Sequence, residues 1–88
     1  MSDDRHLDGN AVGGLLLEIF GHEMTAELGC CGHCGAVNPI AAVYVYLEAP
    51  GVVVRCPACA TVLLVITELE SSYRVSFEEL SWIQHTKS

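Results

Sequence analysis

The sequence predicts a small, mainly β fold of the zinc-ribbon type, an antiparallel sheet of about four to five strands with one N-terminal helix. Three observations support this prediction. Two Cys-x-x-Cys units begin at Cys31 and Cys56. Most of the chain after the first unit alternates apolar and polar residues or is rich in β-branched residues, as strands are. One stretch near the N-terminus has helical spacing instead.

Chain length sets the need for a stabilising element. Eighty-eight residues suit one domain, predicted to span residues 1–88 with an ordered core at about 7–83. A core of this size barely offsets the conformational entropy lost on folding, so a cross-link or a metal is expected. With 51% hydrophobic and 17% charged residues, the composition is far from that of a disordered chain. We therefore expect one folded domain.

The predicted helix follows residues 1–7, for which the polar sequence predicts no regular structure. Asp8 or Asn10 can cap its start, and Gly21 can end it. Gly13 and Gly14 cost about 1 kcal/mol each relative to alanine, so either the helix starts late or a backbone packs closely against it; we favour close packing. The apolar helical face consists of Val12, Leu15, Leu16, Ile19 and Phe20.

The strands follow from alternation and turn residues. Residues 23–28 are expected to form a short strand, and residues 42–48 a half-buried strand with Val43, Val45 and Leu47 on its inner face. A Pro50-Gly51 turn then returns residues 52–56 antiparallel to that strand.

The second half of the chain supplies the remaining strands. Residues 61–67 are apolar on both faces and β-branched, which is typical of a central strand. A polar turn near residues 70–72 leads into a strand at 73–77, and the period of about two continues through Leu80, Trp82 and Ile83. No linker divides the chain.

The two Cys-x-x-Cys units are interpreted as knuckles that hold one structural zinc ion through Cys31, Cys34, Cys56 and Cys59. Each two-residue gap allows a tight turn that aims both sulfurs at one point. The residue after the second cysteine tends towards positive φ, which suits Gly35 and makes Ala60 a mild departure. Two disulfides, buried free thiols and a mononuclear iron site are the alternatives. Zinc is the commonest occupant of a closed four-sulfur site.

The remaining candidate ligands have weaker patterns. Cys30 could replace Cys31 through a Cys-x3-Cys spacing, although two matching knuckles favour Cys31, and its ordinary role would be a partly buried strand residue. His33 should point outwards from the knuckle turn. His6, His22 and His85 have no partner at metal-ligand spacing, so they are expected to face solvent. Trp82 and the tyrosines are expected to cover a thin core, with a binding surface as the alternative.

Charge and targeting features restrict the partners. No signal peptide and no membrane span is expected, which predicts a cytoplasmic protein whose thiols stay reduced. The formal net charge is −7 with only four Lys and Arg residues, too few for a phosphate-binding surface. A basic or neutral protein is therefore the expected partner, and nucleic acid is not.

The chain resembles a family of small uncharacterised bacterial proteins over about residues 7–83. That resemblance implies a zinc-ribbon domain without established activity and the ligands Cys31, Cys34, Cys56 and Cys59. Cys30 and Ala60 depart from the family pattern, which would have a non-cysteine and a glycine there. The residues that carry the likeness are Leu7-Asp8-Gly9-Asn10-Ala11, Gly13-Gly14-Leu15, the first knuckle with its glycine, Ala49-Pro50-Gly51 and Arg55-Cys56-Pro57-x-Cys59.

Three hypotheses for function follow. The leading one is a non-catalytic protein-interaction or regulatory module, since the closed metal site activates no water and no nucleophile–base pair is visible. The second is a redox- or zinc-responsive switch in which the Cys30 thiol attacks an oxidised ligand and releases the metal. The third is a nucleic-acid-binding ribbon. Enzyme activity is not expected.

Overall fold

The computed structural model describes residues 6–48 and 51–85. Within them the chain forms one α-helix and two 3₁₀ turns, Gly9–Val12 and Ile40–Ala42. The helix is far shorter than the roughly 20 apolar residues that cross a bilayer, and no other described helix could do so. The elements are β1 (Leu7–Asp8), α1 (Gly13–Phe20), β2 (Leu28–Cys31), β3 (Val37–Pro39), β4 (Tyr44–Glu48), β5 (Gly51–Arg55), β6 (Val62–Glu68), β7 (Tyr73–Phe77) and β8 (Leu80–Gln84).

The strands form two antiparallel sheets. The large sheet has five strands in the order β1-β4-β5-β6-β7, and the small sheet has three in the order β3-β2-β8. The mainly β class and the single N-terminal helix are confirmed. The separate small sheet was not predicted, because its outer strand β8 pairs with β2 and the two strands lie far apart in the sequence.

The large sheet follows the sequence pattern closely. Strands β4 and β5 form the predicted hairpin, with Val45 opposite Val54; the Ala49-Pro50 part of its turn lies outside the described residues. Strand β6 is an interior strand as predicted, although β5 is the middle one of the five. The predicted polar turn is present, and the Leu69 amide donates to the Ser72 carbonyl within it.

The N-terminal segment differs from expectation in two ways. Leu7 is not irregular but pairs with Val45 as part of β1. The α-helix starts late, at Gly13, after a 3₁₀ turn whose Asn10 amide is capped by the Asp8 carboxylate at 3.1 Å. Gly21 ends the helix with φ of 84°, as predicted.

Close backbone packing belongs to Gly9 rather than to the helix glycines. A Cβ atom on Gly9 would lie 1.7 Å from the carbonyl oxygen of Ile40, whereas one on Gly14 would meet nothing within 4 Å. A Cβ on Gly13 would meet only the Thr25 methyl group, at 3.2 Å. Our preference for close packing at Gly13 and Gly14 was therefore wrong, and the late start explains both residues.

The predicted strand at residues 23–28 is also wrong, since pairing begins only at Leu28. Local hydrogen bonds occupy the preceding backbone. The Thr25 amide donates to the Glu23 carboxylate at 3.0 Å, and the Glu27 amide donates to the Met24 carbonyl at 3.0 Å. Such turn bonds compete with a strand ladder.

The core lies where the helix meets both sheets. Leu16 of α1, Val54 and Leu64 of the large sheet and Ile83 of the small sheet line one small apolar cavity. Leu47 was expected in this core but is 64% exposed. It lines an open depression beside Leu15, because the eight-residue helix, about 12 Å long, leaves this end of β4 uncovered.

Replacing Gly9 by alanine should destabilise the fold by about 2–3 kcal/mol, because the added methyl group overlaps a backbone carbonyl that cannot rotate away. Gly14→Ala is the matched control, and it should stabilise the protein by up to about 1 kcal/mol by favouring the helix. Urea unfolding of both variants followed by circular dichroism measures the difference. Equal effects of the two substitutions would contradict the assignment.

Candidate metal centre

The two knuckles lie at the ends of strands from different sheets. Cys31 is the last residue of β2, in the small sheet, and Cys56 directly follows β5, in the large sheet. A register shift precedes each of them, between Cys30 and Cys31 and between Val54 and Arg55. Such bulges bend a strand and redirect its side chains. Each knuckle therefore leaves its own sheet at an irregular point.

The two knuckles repeat one pattern of backbone hydrogen bonds. In the first, the Gly35 amide donates to the Cys31 carbonyl at 2.8 Å and the Cys31 amide donates to the Ala36 carbonyl at 2.9 Å. In the second, Ala60 donates to Cys56 at 2.8 Å and Cys56 donates to Thr61 at 2.9 Å. The predicted positive φ is present in both, at 79° for Gly35 and 67° for Ala60.

The second knuckle receives extra support from Arg55. Its guanidinium group donates to the Ala60 carbonyl at 2.7 Å and lies 5.8 Å from the centre of the Tyr46 ring, within cation–π range. The Ala58 amide also donates to Cys56 Sγ at 3.3 Å, which spreads negative charge away from a thiolate. These contacts hold the strained Ala60 turn in place.

The four knuckle sulfurs meet at one point. All four lie within 4.8 Å of one another, with 3.8 Å between the sulfurs of Cys31 and Cys59 and 3.7 Å between those of Cys34 and Cys56. Four sulfurs placed 2.3 Å from a tetrahedral zinc ion would be about 3.8 Å apart, whereas a disulfide requires about 2.05 Å. The cluster could therefore hold a metal ion and contains no disulfide.

The proton affinities of these thiols show why a cation suits the cluster. Hydrogen bonds from the side chain and backbone of Thr61 lower the pKa of Cys59 to about 6. The Ala36 amide lowers the pKa of Cys34, but desolvation and the three neighbouring thiols outweigh it and raise that pKa to about 12. Four thiolates this close repel one another unless a cation is present.

Cys30 lies outside the cluster. The ladder is irregular between Cys30 and Cys31, and the sulfur of Cys30 is not among the four that cluster. That sulfur approaches the carbonyl oxygens of Cys31 and Gly35, at 3.7 and 3.9 Å. The structure thus places Cys31 rather than Cys30 among the four sulfurs.

The predicted solvent exposure of the four histidines is confirmed. His33 is exposed as expected, and His6 stacks on Tyr44 with ring centres 3.7 Å apart. His22 and His85 are exposed, but each has a neighbour that sequence spacing missed. Both donate a ligand atom to a cluster with Glu27 in which these atoms lie within 4.8 Å. The pairing of β2 with β8, which no local pattern indicated, brings them together.

Comparison with known proteins identifies the family of the chain. The chain belongs to DUF6510, a family of unknown function, whose model matches residues 3–88. No curated protein and no solved structure matches the chain. The family membership predicted from the motifs is therefore confirmed, and it assigns no activity.

Ala60→Gly should stabilise the metal-loaded protein by about 0.5–1 kcal/mol. A left-handed conformation costs an L-residue about 1–2 kcal/mol, which glycine avoids. Glycine also has more conformational freedom in the unfolded chain, which offsets about 0.4–1 kcal/mol of this gain. Gly35→Ala should destabilise by a similar amount. Chemical unfolding at fixed zinc concentration measures both changes.

Ala58→Gly is the control within the same knuckle, because Ala58 does not have positive φ. This substitution should lower the free energy of unfolding by about 0.4–1 kcal/mol, only because glycine has more conformational freedom in the unfolded chain. Loss of stability in Ala60→Gly as well would show that the turn is not strained.

Proposed function

We propose that this chain is a non-catalytic, cytoplasmic protein-binding module whose fold is held by one zinc ion in the four-cysteine site. Two sulfur–sulfur distances, 3.8 and 3.7 Å, match the edges of a tetrahedron of metal–sulfur bonds, and zinc is the commonest ion in a closed four-sulfur site. Protein thiolates fill all four positions, so no water is activated there. The metal's role is then structural, and its binding energy is folding energy.

The outer face of the small sheet is the observation that carries the binding role. Cys30 of β2 lies directly between Val37 of β3 and Trp82 of β8, and residues directly opposite in antiparallel strands share a face. Leu28, two residues before Cys30, is on the same face. Val37 is 46% and Trp82 42% exposed. Trp82 therefore does not cover the core, and the alternative of a binding surface is favoured.

The charge of the chain favours a basic partner. The formal charge is −7, and a zinc ion bound to four thiolates lowers it to about −9, since two positive charges are added and four thiol protons leave. A partner that inserts an apolar side chain beside Trp82 and carries lysine or arginine around it would match both features. Nucleic acid would be repelled by the same charge.

Metal analysis tests the structural half of this proposal. The purified chain should retain one zinc ion per chain through gel filtration in mild chelator, and stronger chelation should unfold it. Cys56→Ser should lose both the metal and the fold, whereas Cys30→Ser should keep both. Iron in place of zinc, or a folded metal-free Cys56→Ser variant, would contradict the proposal.

The binding half is tested by affinity capture from native extract with outer-face variants. The double variant Val37→Thr/Trp82→Thr keeps strand-forming residues while removing the apolar surface. It should no longer capture a basic protein that the wild type captures at low salt. Phe77→Thr is the control, because Phe77 is exposed at 55% in the other sheet. Retention should be weakened by salt.

Four results would overturn the binding role. They are an unchanged set of captured proteins in the double variant, captured nucleic acid in place of protein, no captured partner at any salt concentration, and self-association of the chain in sedimentation experiments.

A further inference from the structure

The far end of the small sheet carries a second group of metal-ligand side chains. Glu27 directly precedes β2, His85 directly follows β8, and His22 lies just after the end of α1. One ligand atom from each lies within 4.8 Å of the other two. Glu27 is four residues before Cys31, which corresponds to about 13 Å along a strand. This group is therefore separate from the four sulfurs.

We propose that His22, Glu27 and His85 form a second metal site, which takes a divalent first-row transition metal ion such as zinc. Two imidazoles and one carboxylate are a known ligand set for such ions, and three protein ligands leave a further position for water. This proposal requires the folded chain but does not depend on which metal the four-cysteine site holds.

Glu27 provides the first line of support. It is 5% exposed and is the buried charged residue of the described core. Its Oε2 contacts His85 Nδ1, but its Oε1 is buried without a hydrogen-bond partner. A buried carboxylate oxygen without a partner is costly. A divalent cation bound at this carboxylate would compensate its buried negative charge.

The arrangement of the two imidazoles provides the second line. The ring centres of His22 and His85 are 5.1 Å apart, and the ring planes are inclined by 31°. Neither histidine is paired with a carboxylate other than Glu27 among the described contacts. Two rings that converge on one buried carboxylate, with both rings open to solvent, leave a path for an ion to enter.

The backbone around Glu27 is fixed before any ion binds. The Glu27 carbonyl accepts a hydrogen bond from the Ile40 amide at 2.8 Å, and its amide donates to Met24 at 3.0 Å. The ladder between β2 and β8 pairs Leu28 with Gln84, which places the next residues, Glu27 and His85, side by side. The site is therefore built by the sheet and not by a flexible loop alone.

The donor atoms of the group, considered together with the nearby sulfur of Met24, indicate which metal it would bind. His22 Nε2 lies 3.1 Å from the thioether sulfur of Met24, which is itself buried. A soft thioether alone would favour Cu(I), but the carboxylate oxygen is a hard ligand that Cu(I) does not prefer. The combined set of nitrogen and carboxylate donors favours a borderline divalent ion, and zinc is the probe we choose.

The test starts from full-length protein without a histidine tag, loaded with one zinc ion in the four-cysteine site. Titration with Zn²⁺, followed by calorimetry and native mass spectrometry, should show a second ion per chain. His22→Ala and His85→Ala should each weaken this second binding event at least tenfold. His6→Ala is the matched control and should leave it unchanged, because His6 stacks on Tyr44 away from the group.

Glu27→Gln keeps the shape of the side chain and removes its charge. It should abolish the second binding event while circular dichroism and the first zinc ion stay as in the wild type. Co²⁺ in the second site should give no sulfur-to-metal charge-transfer absorption, which distinguishes it from the four-cysteine site even if that site fails to bind metal. The spectrum shows which of the two sites holds the ion, so failure of one proposal can be distinguished from failure of the other.

Two results would overturn the second site. One is the absence of a second ion in the wild type, which would reduce the group to a hydrogen bond between Glu27 and His85. The other is a second ion whose affinity is the same in all the histidine and glutamate variants, which would make it an adventitious ion only.

Discussion

Convergence of four sulfurs at one point is the constraint on which this fold depends. One pair follows a strand of the small sheet and the other a strand of the large sheet, so the cluster joins the two sheets, which backbone hydrogen bonds of the described residues also connect. The bend between β7 and β8 supplies some of them: the Glu78 amide donates to Leu63 and the Gly32 amide to Glu79. Strands of two to seven residues gain little stability alone, so a metal at the junction would act on both sheets at once.

The repeated geometry of the knuckles shows how the backbone serves the sulfurs. Both knuckles follow a register shift, close with the same two hydrogen bonds and turn through a residue of positive φ. Glycine adopts that φ without cost, and alanine does not. Ala60 nevertheless adopts it, because the bonds within the turn and the Arg55 side chain over-determine the conformation. A local sequence preference has given way to the geometry of the site.

Much of this structure was predictable where its causes are local. The helix end at Gly21, the β4–β5 hairpin and the four converging cysteines follow from spacing and turn chemistry within a few residues, whereas Asp8 caps a 3₁₀ turn and not the α-helix as predicted. The small sheet was not predictable in this way, since β2 and β8 are separated by most of the chain and no periodicity specifies their pairing. A turn in which the Glu23 carboxylate accepts a hydrogen bond from the Thr25 amide replaces the expected strand. The error at Leu47 has a similar origin, because alternation predicts which face a residue occupies and not how far the covering helix extends.

The same contrast between local and distant residues separates the two groups of candidate ligands. Each cysteine pair is preorganised by a turn of a few residues, so a metal ion can bring the two knuckles together while the rest of the chain is still unfolded, and little loop entropy is lost within each pair. Glu27 and His85 are 58 residues apart and meet only after β2 and β8 have paired. Metal binding at the cysteines would therefore contribute to folding, whereas binding at His22, Glu27 and His85 would follow from it. The unfolded chain does not bring His22, Glu27 and His85 together, so ion binding by this group depends on the completed small sheet.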